Sequence, residues 1–164
     1  MNLISTSSIM NKSRKELYNL AFKDKTTEVY NRNMLEEFRE QFDAMELYVT
    51  IIDIDNLKQI NDTKGHHEGD MFIKEIANQI QEQANVVFRL GGDEFLALGF
   101  VPNSRMFLKK SDDDINSSEV AFVDILGASV GTILKSSTMS LQEAMRSADS
   151  IMYENKKGRR ILNE

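Results

Sequence analysis

Apolar positions along the chain change period several times, and each change marks the boundary of a predicted element. Leu17, Leu20 and Ala21 recur at helical spacing ahead of Asp24, which predicts a leading helix from near Ser13 behind a polar, flexible leader over residues 1–12. Met34, Leu35 and Phe38 give one side of a second helix over Asn33 to Phe42. Then the period is lost. Leu47-Tyr48-Val49-Thr50-Ile51-Ile52 is a continuous, partly β-branched apolar run, as expected of a fully buried strand. It ends in Asp53-Ile54-Asp55, where alternation puts the two carboxylates on one face and Ile54 on the other.

After Gly69, Phe72, Ile73, Ile76, Ala77 and Ile80 return to helical spacing until about Gln83. Val86 to Leu90 and Phe95 to Phe100 read as two strands of a hairpin, with Gly91-Gly92 expected to supply the positive φ of a tight turn and Asp93 and Glu94 at its tip. Residues 101–118 read mainly as loop, with a short helical turn around Met106 to Lys109, and Glu119 to Leu126 and Ala128 to Leu134 as strand segments around Gly127. The last helix is announced by Ser140-Leu141-Gln142-Glu143, a capping box, with an apolar stripe from Leu141 to Met152 and cations from Lys156 to Arg160 at its end. This order of elements predicts an α+β fold: a central, mostly antiparallel sheet with packed helices. If the first strand lies beside the hairpin, Asp53 converges with Asp93 and Glu94 on one sheet edge.

Composition narrows this picture. A chain of 164 residues with 41% apolar content supports one core, taken here as a single domain over residues 13–164. There is no cysteine, which excludes disulfides and thiolate chemistry; the polar start lacks the apolar stretch of a secretory signal, and no run approaches the roughly 20 residues of a membrane span. The expectation is a cytoplasmic, soluble protein with no membrane partner. A formal charge of −6 argues against a nucleic-acid partner, yet a small phosphorylated ligand is compatible where a cation inverts the local sign. Carboxylates gathered on one edge repel unless neutralised, and hard oxygen ligands favour Mg2+ or Mn2+. An Asp-x-Asp taken alone reads more readily as solvated charge than as a site, with Asp55 and Glu94 then mere loop charges. Its combination with the Gly-Gly-Asp-Glu turn favours the metal.

Arg89-Leu90-Gly91-Gly92-Asp93-Glu94-Phe95 resembles the signature of the GGDEF domains, the diguanylate cyclases. Asp53 to Asp62 followed by Gly65-His66-His67-Glu68-Gly69-Asp70 resembles the family's second block, Asp24, Thr27, Tyr30, Asn31 and Arg32 its N-terminal block, and Ala148-Asp149 through Tyr153 and Lys156 its C-terminal helix. The resemblance runs from about residue 17 to 162. It implies a ferredoxin-like, nucleotidyl-cyclase palm that condenses two GTP into cyclic di-GMP with release of two pyrophosphates. Carried over by position, Asp53, the backbone carbonyl of Ile54 and Asp93 hold the metals, with Glu94 beside them, and Asp93 or Glu94 accepts the hydroxyl proton. Asn61 and Asp70 correspond to positions that read guanine, Lys58, Lys156 and Arg159 to phosphate contacts, and Gly91 and Gly92 to the substrate-binding turn. In isolation Asn61 also reads as a helix cap, Asp70 as an N-terminal helix charge, and the lysines as solvated. His66 is expected to be structural and His67 exposed.

The resemblance also implies a homodimer, because each domain would hold one GTP and neither closes the ring alone, and a sensory domain not contained in these residues. Departures from the family pattern are Thr26 for leucine, Glu28 for glycine, a chain one residue short between Lys156 and Gly158, and a shortened connection over Pro102 to Val120 that predicts a reduced or missing helix. Glu82 and Asn85 stand where the family's inhibitory Arg-x-x-Asp would be, so no inhibitory site of that kind is expected. The alternatives to an active cyclase are a non-catalytic nucleotide-binding sensor or interaction module, and a cyclase making a mixed or adenine product, against which Asp70 argues.

Overall fold

The computed structural model describes residues 3–100 and 125–162, with side chains described over 13–100 and 125–158. Five strands form one sheet: β1 (Tyr30–Asn31), β2 (Leu47–Ile54), β3 (Val86–Arg89), β4 (Glu94–Phe100) and β5 (Ala128–Lys135), in the spatial order β1-β3-β4-β2-β5. β2 is central and pairs antiparallel with β4 on one side and β5 on the other. β3 and β4 form the predicted hairpin, and β1 adds a short parallel edge beside β3. The expected mostly antiparallel sheet is present, with the Leu47 run against the hairpin. β1 has only two residues and no apolar run, so no periodicity announced it.

The helices are α1 (Leu3–Phe22), α2 (Arg32–Glu37), α3 (Arg39–Asp43), α4 (Leu57–Lys64), α5 (His66–Gln81) and α6 (Leu141–Leu162). They cover both sheet faces, and strand alternation sorts the core into two clusters. On the α5 face Ile52, Ile54 and Phe95 pack with Ile73, Ile76 and Ile80. On the α6 face Leu47, Val49, Ile51, Leu96 and Leu98 pack with Ala144, Ala148 and Met152. Each of the Val, Leu, Ile, Phe and Met side chains contributes about 1.5–3 kcal/mol on full burial, so β2, buried on both faces, is the mechanical centre of the domain. α6 comes so close to β5 that a Cβ on Gly131 would lie 2.1 Å from the carbonyl oxygen of Ala148 and 2.3 Å from the amide of Met152. Lys135, fully buried at the end of β5, donates to the carbonyls of Asp43, Met45 and Ser136 at 2.8, 2.8 and 3.0 Å.

Several boundaries differ from those expected. α1 begins at Leu3 and passes unbroken through Ser13, because nothing in that stretch is glycine or proline and propagation past polar residues costs only tenths of a kcal/mol each. The second predicted helix is broken in two at Phe38 (φ −107°, ψ 11°), which turns Phe42 into the core edge-on against Phe88. α5 starts at His66, directly after Gly65 at φ 89°, so α4 and α5 are separated by that single residue. The positive φ expected at Gly91-Gly92 is absent. The Leu90 amide bonds the Glu94 carbonyl at 2.9 Å and the Glu94 amide reaches back to the Gly91 carbonyl at 3.3 Å, a turn that closes without a left-handed residue. The loop and helical turn expected over 101–118 and the shortened connection over Pro102 to Val120 lie outside the described residues, as does the predicted strand from Glu119 up to 124; Ile125 and Leu126 are not in a strand.

Candidate active site

Asp53 is placed by register. It stands directly opposite Glu94 of β4 and opposite Ser129 of β5. The next amide, that of Ile54, bonds the carbonyl of Asp93 at 3.0 Å, and the amide of Asp55 bonds the carbonyl of Gly127 at 2.9 Å. Residues opposite one another on antiparallel strands share a face, so Asp53 and Glu94 lie on the α6 side. There Lys156 of α6 meets Asp53. Its ammonium is ion-paired with Asp53 Oδ1 and lies 3.8 Å from Asp55 Oδ1, while Ser129 Oγ donates to Asp55 Oδ1 at 2.9 Å. The side chains of Asp53, Asp55 and Lys156 are 17, 22 and 23% exposed. Asp55 is therefore an engaged group rather than a solvated loop charge.

This arrangement modifies the argument from repulsion. The cation that neutralises the paired carboxylates belongs to the chain itself, and among the described residues no group of three or more His, Asp or Glu side chains is arranged to hold a metal ion. By donor type the site still suits a hard divalent cation. Asp53, Asp93 and Glu94 offer carboxylate oxygens within one strand-end pair, Asp93 and Glu94 are half-buried and exposed respectively, and Lys156 marks where positive charge is already favoured.

The hairpin is anchored from outside by motif residues for which the sequence alone suggests no role. Arg89 donates to Asp24 Oδ1 at 3.0 Å and to the Gly92 carbonyl at 2.7 Å. Asp24 Oδ1 also accepts from the Thr27 hydroxyl at 2.7 Å and the Thr27 amide at 2.9 Å. Burial alone would raise the Asp24 pKa, but the Thr27 hydroxyl, Arg89 and the Thr27 amide outweigh it and hold the carboxyl below its ordinary value. The signal was legible in outline, since Asp24, Thr27 and Arg89 all belong to quoted motifs. Asn31 joins the neighbouring elements: its carboxamide donates to the Ala21 carbonyl at 2.9 Å and caps α2 through the amides of Asn33 and Met34. Glu28 keeps the turn despite replacing glycine, at φ 61°. A cleft of about 340 Å³ opens here, lined by Asp24, Arg32, Arg89, Gly91 and Gly92 among others.

The remaining sequence candidates sit on the two helices that follow β2. Three residues after Ile54, α4 begins, with Lys58 exposed at its second position. Asn61 is in the middle of α4 and its side chain caps nothing; Asp70 is the fifth residue of α5, past the first turn, and exposed. The side chain of Asn61 lies against Gly69, so it and Asp70 border the same helix junction. His66 and His67 are both exposed. The side chain of Arg159 lies outside the described residues. Glu82 is exposed beyond α5, and Asn85 is used in the fold, accepting from the Phe100 amide at 2.9 Å. The capping box is formed: Ser140 Oγ accepts from the Glu143 amide at 3.2 Å while Glu143 Oε2 accepts from the Ser140 amide at 2.9 Å. No helix among the described residues is long and apolar enough to cross a membrane.

A mixed sheet with helices on both faces, carrying an acidic strand-end pair at a Gly-Gly hairpin, defines an α+β domain of the palm type. A family profile described as diguanylate cyclase, GGDEF domain matches residues 21–161, and the chain belongs to that family. Among curated relatives, diguanylate cyclase DgcP of Escherichia coli K12 is 33% identical over 122 residues, covering 68% of this chain and 36% of DgcP. Probable diguanylate cyclase DgcC of the same strain is 32% identical, covering 92% of this chain and 45% of DgcC. The chain thus spans less than half the length of these relatives. Among solved structures, the coiled coil and GGDEF domain of DgcB from Caulobacter crescentus, in complex with c-di-GMP, aligns with a TM-score of 0.68 at 23% identity over 95% of this chain and 93% of that one, a likeness of fold. The GGDEF domain of TpbB or YfiN from Pseudomonas aeruginosa aligns at 0.56 with 28% identity, covering 87% and 99%. GGDEF cyclases generally use a divalent metal.

Proposed function

We propose that this chain is a cytoplasmic diguanylate cyclase that condenses two GTP into cyclic di-GMP and two pyrophosphates at a transient homodimer interface. The observation that carries the reading is the register: Asp53 opposite Glu94, with Asp93 bonded through its carbonyl to the next residue of β2. Asp53, the Ile54 carbonyl, Asp93 and Glu94 are the oxygens that would hold Mg2+ or Mn2+. Such ions, when bound, offset the charge that develops as a 3′-hydroxyl attacks the α-phosphorus. Asp93 or Glu94 accepts the hydroxyl proton, and the Gly91-Gly92 turn, open to solvent, leaves bare backbone beside the triphosphate. Lys58 and Lys156 contact the phosphates, and Arg159 is assigned to them by its position in the family pattern alone. Asp70 accepts from guanine N1–H and the 2-amino group and Asn61 serves O6 or N3, so GTP binds in preference to ATP. Incubation with GTP and Mg2+ over a range of protein concentrations, followed by chromatography, tests the reading: cyclic dinucleotide should form with a rate per chain that rises with concentration. A chain that makes none at any concentration, while a known cyclase does so in parallel, refutes it.

A second reading, a nucleotide-binding module without turnover, is favoured by the Lys156 ammonium on Asp53 and by the absence of a three-carboxylate cluster among the described residues. Tight GTP binding with no product, unchanged by concentration, would select it.

A further inference from the structure

Gly69 is the fourth residue of α5 and is buried. Glycine inside a helix is destabilising relative to alanine, so its presence there calls for a reason. A Cβ built on Gly69 would lie 1.9 Å from Asn61 Oδ1, 2.9 Å from Asn61 Cγ and 3.4 Å from Asn61 Nδ2. All three nearest atoms belong to one side chain on the neighbouring helix. At Gly131, by contrast, the nearest atoms are the backbone of α6, a constraint of packing alone. The bare face of Gly69 is directed at Asn61. The Asn61 carboxamide makes no hydrogen bond among the described residues, and the exposed carboxylate of Asp70 follows Gly69 immediately in sequence.

We infer that Gly69 is a positioning residue for base recognition: its missing side chain lets the Asn61 carboxamide lie flat on the start of α5, beside Asp70, where both face one purine edge. This rests on the reading of Asn61 and Asp70 as the guanine-binding pair. Any side chain at residue 69 displaces the carboxamide, and because Asn61 sits on the partly exposed surface of α4 it can rotate away while the helices stay packed. Fold and recognition are therefore separable.

The test is a double-mutant cycle of wild type, Gly69→Ala, Asn61→Ala and the double variant. Each is titrated calorimetrically with the non-reacting α,β-methylene analogues of GTP and of ATP in the presence of Mg2+, and thermal unfolding is recorded alongside. The readout is the ratio of ATP to GTP dissociation constants, which a general loss of stability does not move. G69A should lower the guanine preference about tenfold, the share of one well-placed hydrogen bond, N61A should match it, and the double variant should lose no more than either. Undiminished preference in G69A while N61A loses it, or additive losses in the double variant, overturns the proposal. If G69A does not fold, Asn61 has not rotated away as the proposal requires and the proposal falls, whether or not the double variant folds. A wild type that binds ATP and GTP equally refutes the guanine reading itself, and this inference with it, and is told apart by appearing before any substitution.

Discussion

Replacing Arg89 with glutamine removes the charge that ties the hairpin to the turn after α1. In the wild type its guanidinium makes two contacts, to Asp24 Oδ1 at 3.0 Å and to the Gly92 carbonyl at 2.7 Å. The paired side chains are only 13 and 23% exposed, so water screens the interaction incompletely. Glutamine retains a neutral donor, and Asp24 keeps its bonds from Thr27; the expected loss at pH 7 is about 2–3 kcal/mol, the range for a hydrogen-bonded charge pair broken on one side. Asp24 gives the effect a pH signature. Its folded pKa lies below the ordinary value, so its stabilising contribution is present above roughly 3.9 and is lost as pH falls through the folded pKa. Urea unfolding of wild type and Arg89→Gln, from pH 7 down through the acid range, should show the gap narrowing below pH ~4 towards the share of the Gly92 bond. A gap under about 0.5 kcal/mol at pH 7, or one that stays constant into acid, would refute the assignment of the Asp24–Arg89 pair as an anchor.

Asp93→Ala should abolish cyclic dinucleotide formation while leaving the urea midpoint within error of wild type, since among the described residues Asp93 is held through its backbone alone; residual turnover near the wild-type rate would remove it from the chemistry. Lys156→Met should tighten Mg2+ binding measured calorimetrically without nucleotide by about fivefold, the worth of a partly exposed ion pair, because Asp53 loses its resident counter-charge. Glu28→Gly should raise stability by about 0.5–1 kcal/mol, the left-handed strain at φ 61° outweighing the added freedom of the unfolded chain. Lys135→Met should cost about 2–4 kcal/mol in urea unfolding, because three carbonyls now served by a buried ammonium lose their donor.

Much of this architecture was legible where periodicity was strong. The Leu47 to Ile52 run, the β3–β4 hairpin, the stripe of α5 and the capping box of α6 all stand as expected, because burial on a sheet or helix face imposes its period on the sequence. The convergence of Asp53 with Asp93 and Glu94 followed from placing that strand beside the hairpin. What escaped was set by partners distant in sequence. Nothing near Lys156 reveals that its ammonium lies on Asp53, and nothing near Arg89 that it reaches Asp24. The glycine turn misled for a different reason: a Gly-Gly pair permits positive φ, and the hairpin simply does not use it. Glu28 is the converse, a left-handed residue that its own chemistry does not advertise.

β2 is bonded along its length on both flanks, Leu47 to Asp53 against β4 and Leu47 to Ile54 against β5. A slide of one residue would have to break both ladders together and would turn Ile51 and Val49 out of their core. The height of Asp53 relative to Glu94 is therefore indexed from two directions, like a tooth held between two racks. Adjustment at this edge falls to side-chain rotation and to the short loop joining β3 to β4, and the carboxylate itself serves as the fixed mark against which everything else moves.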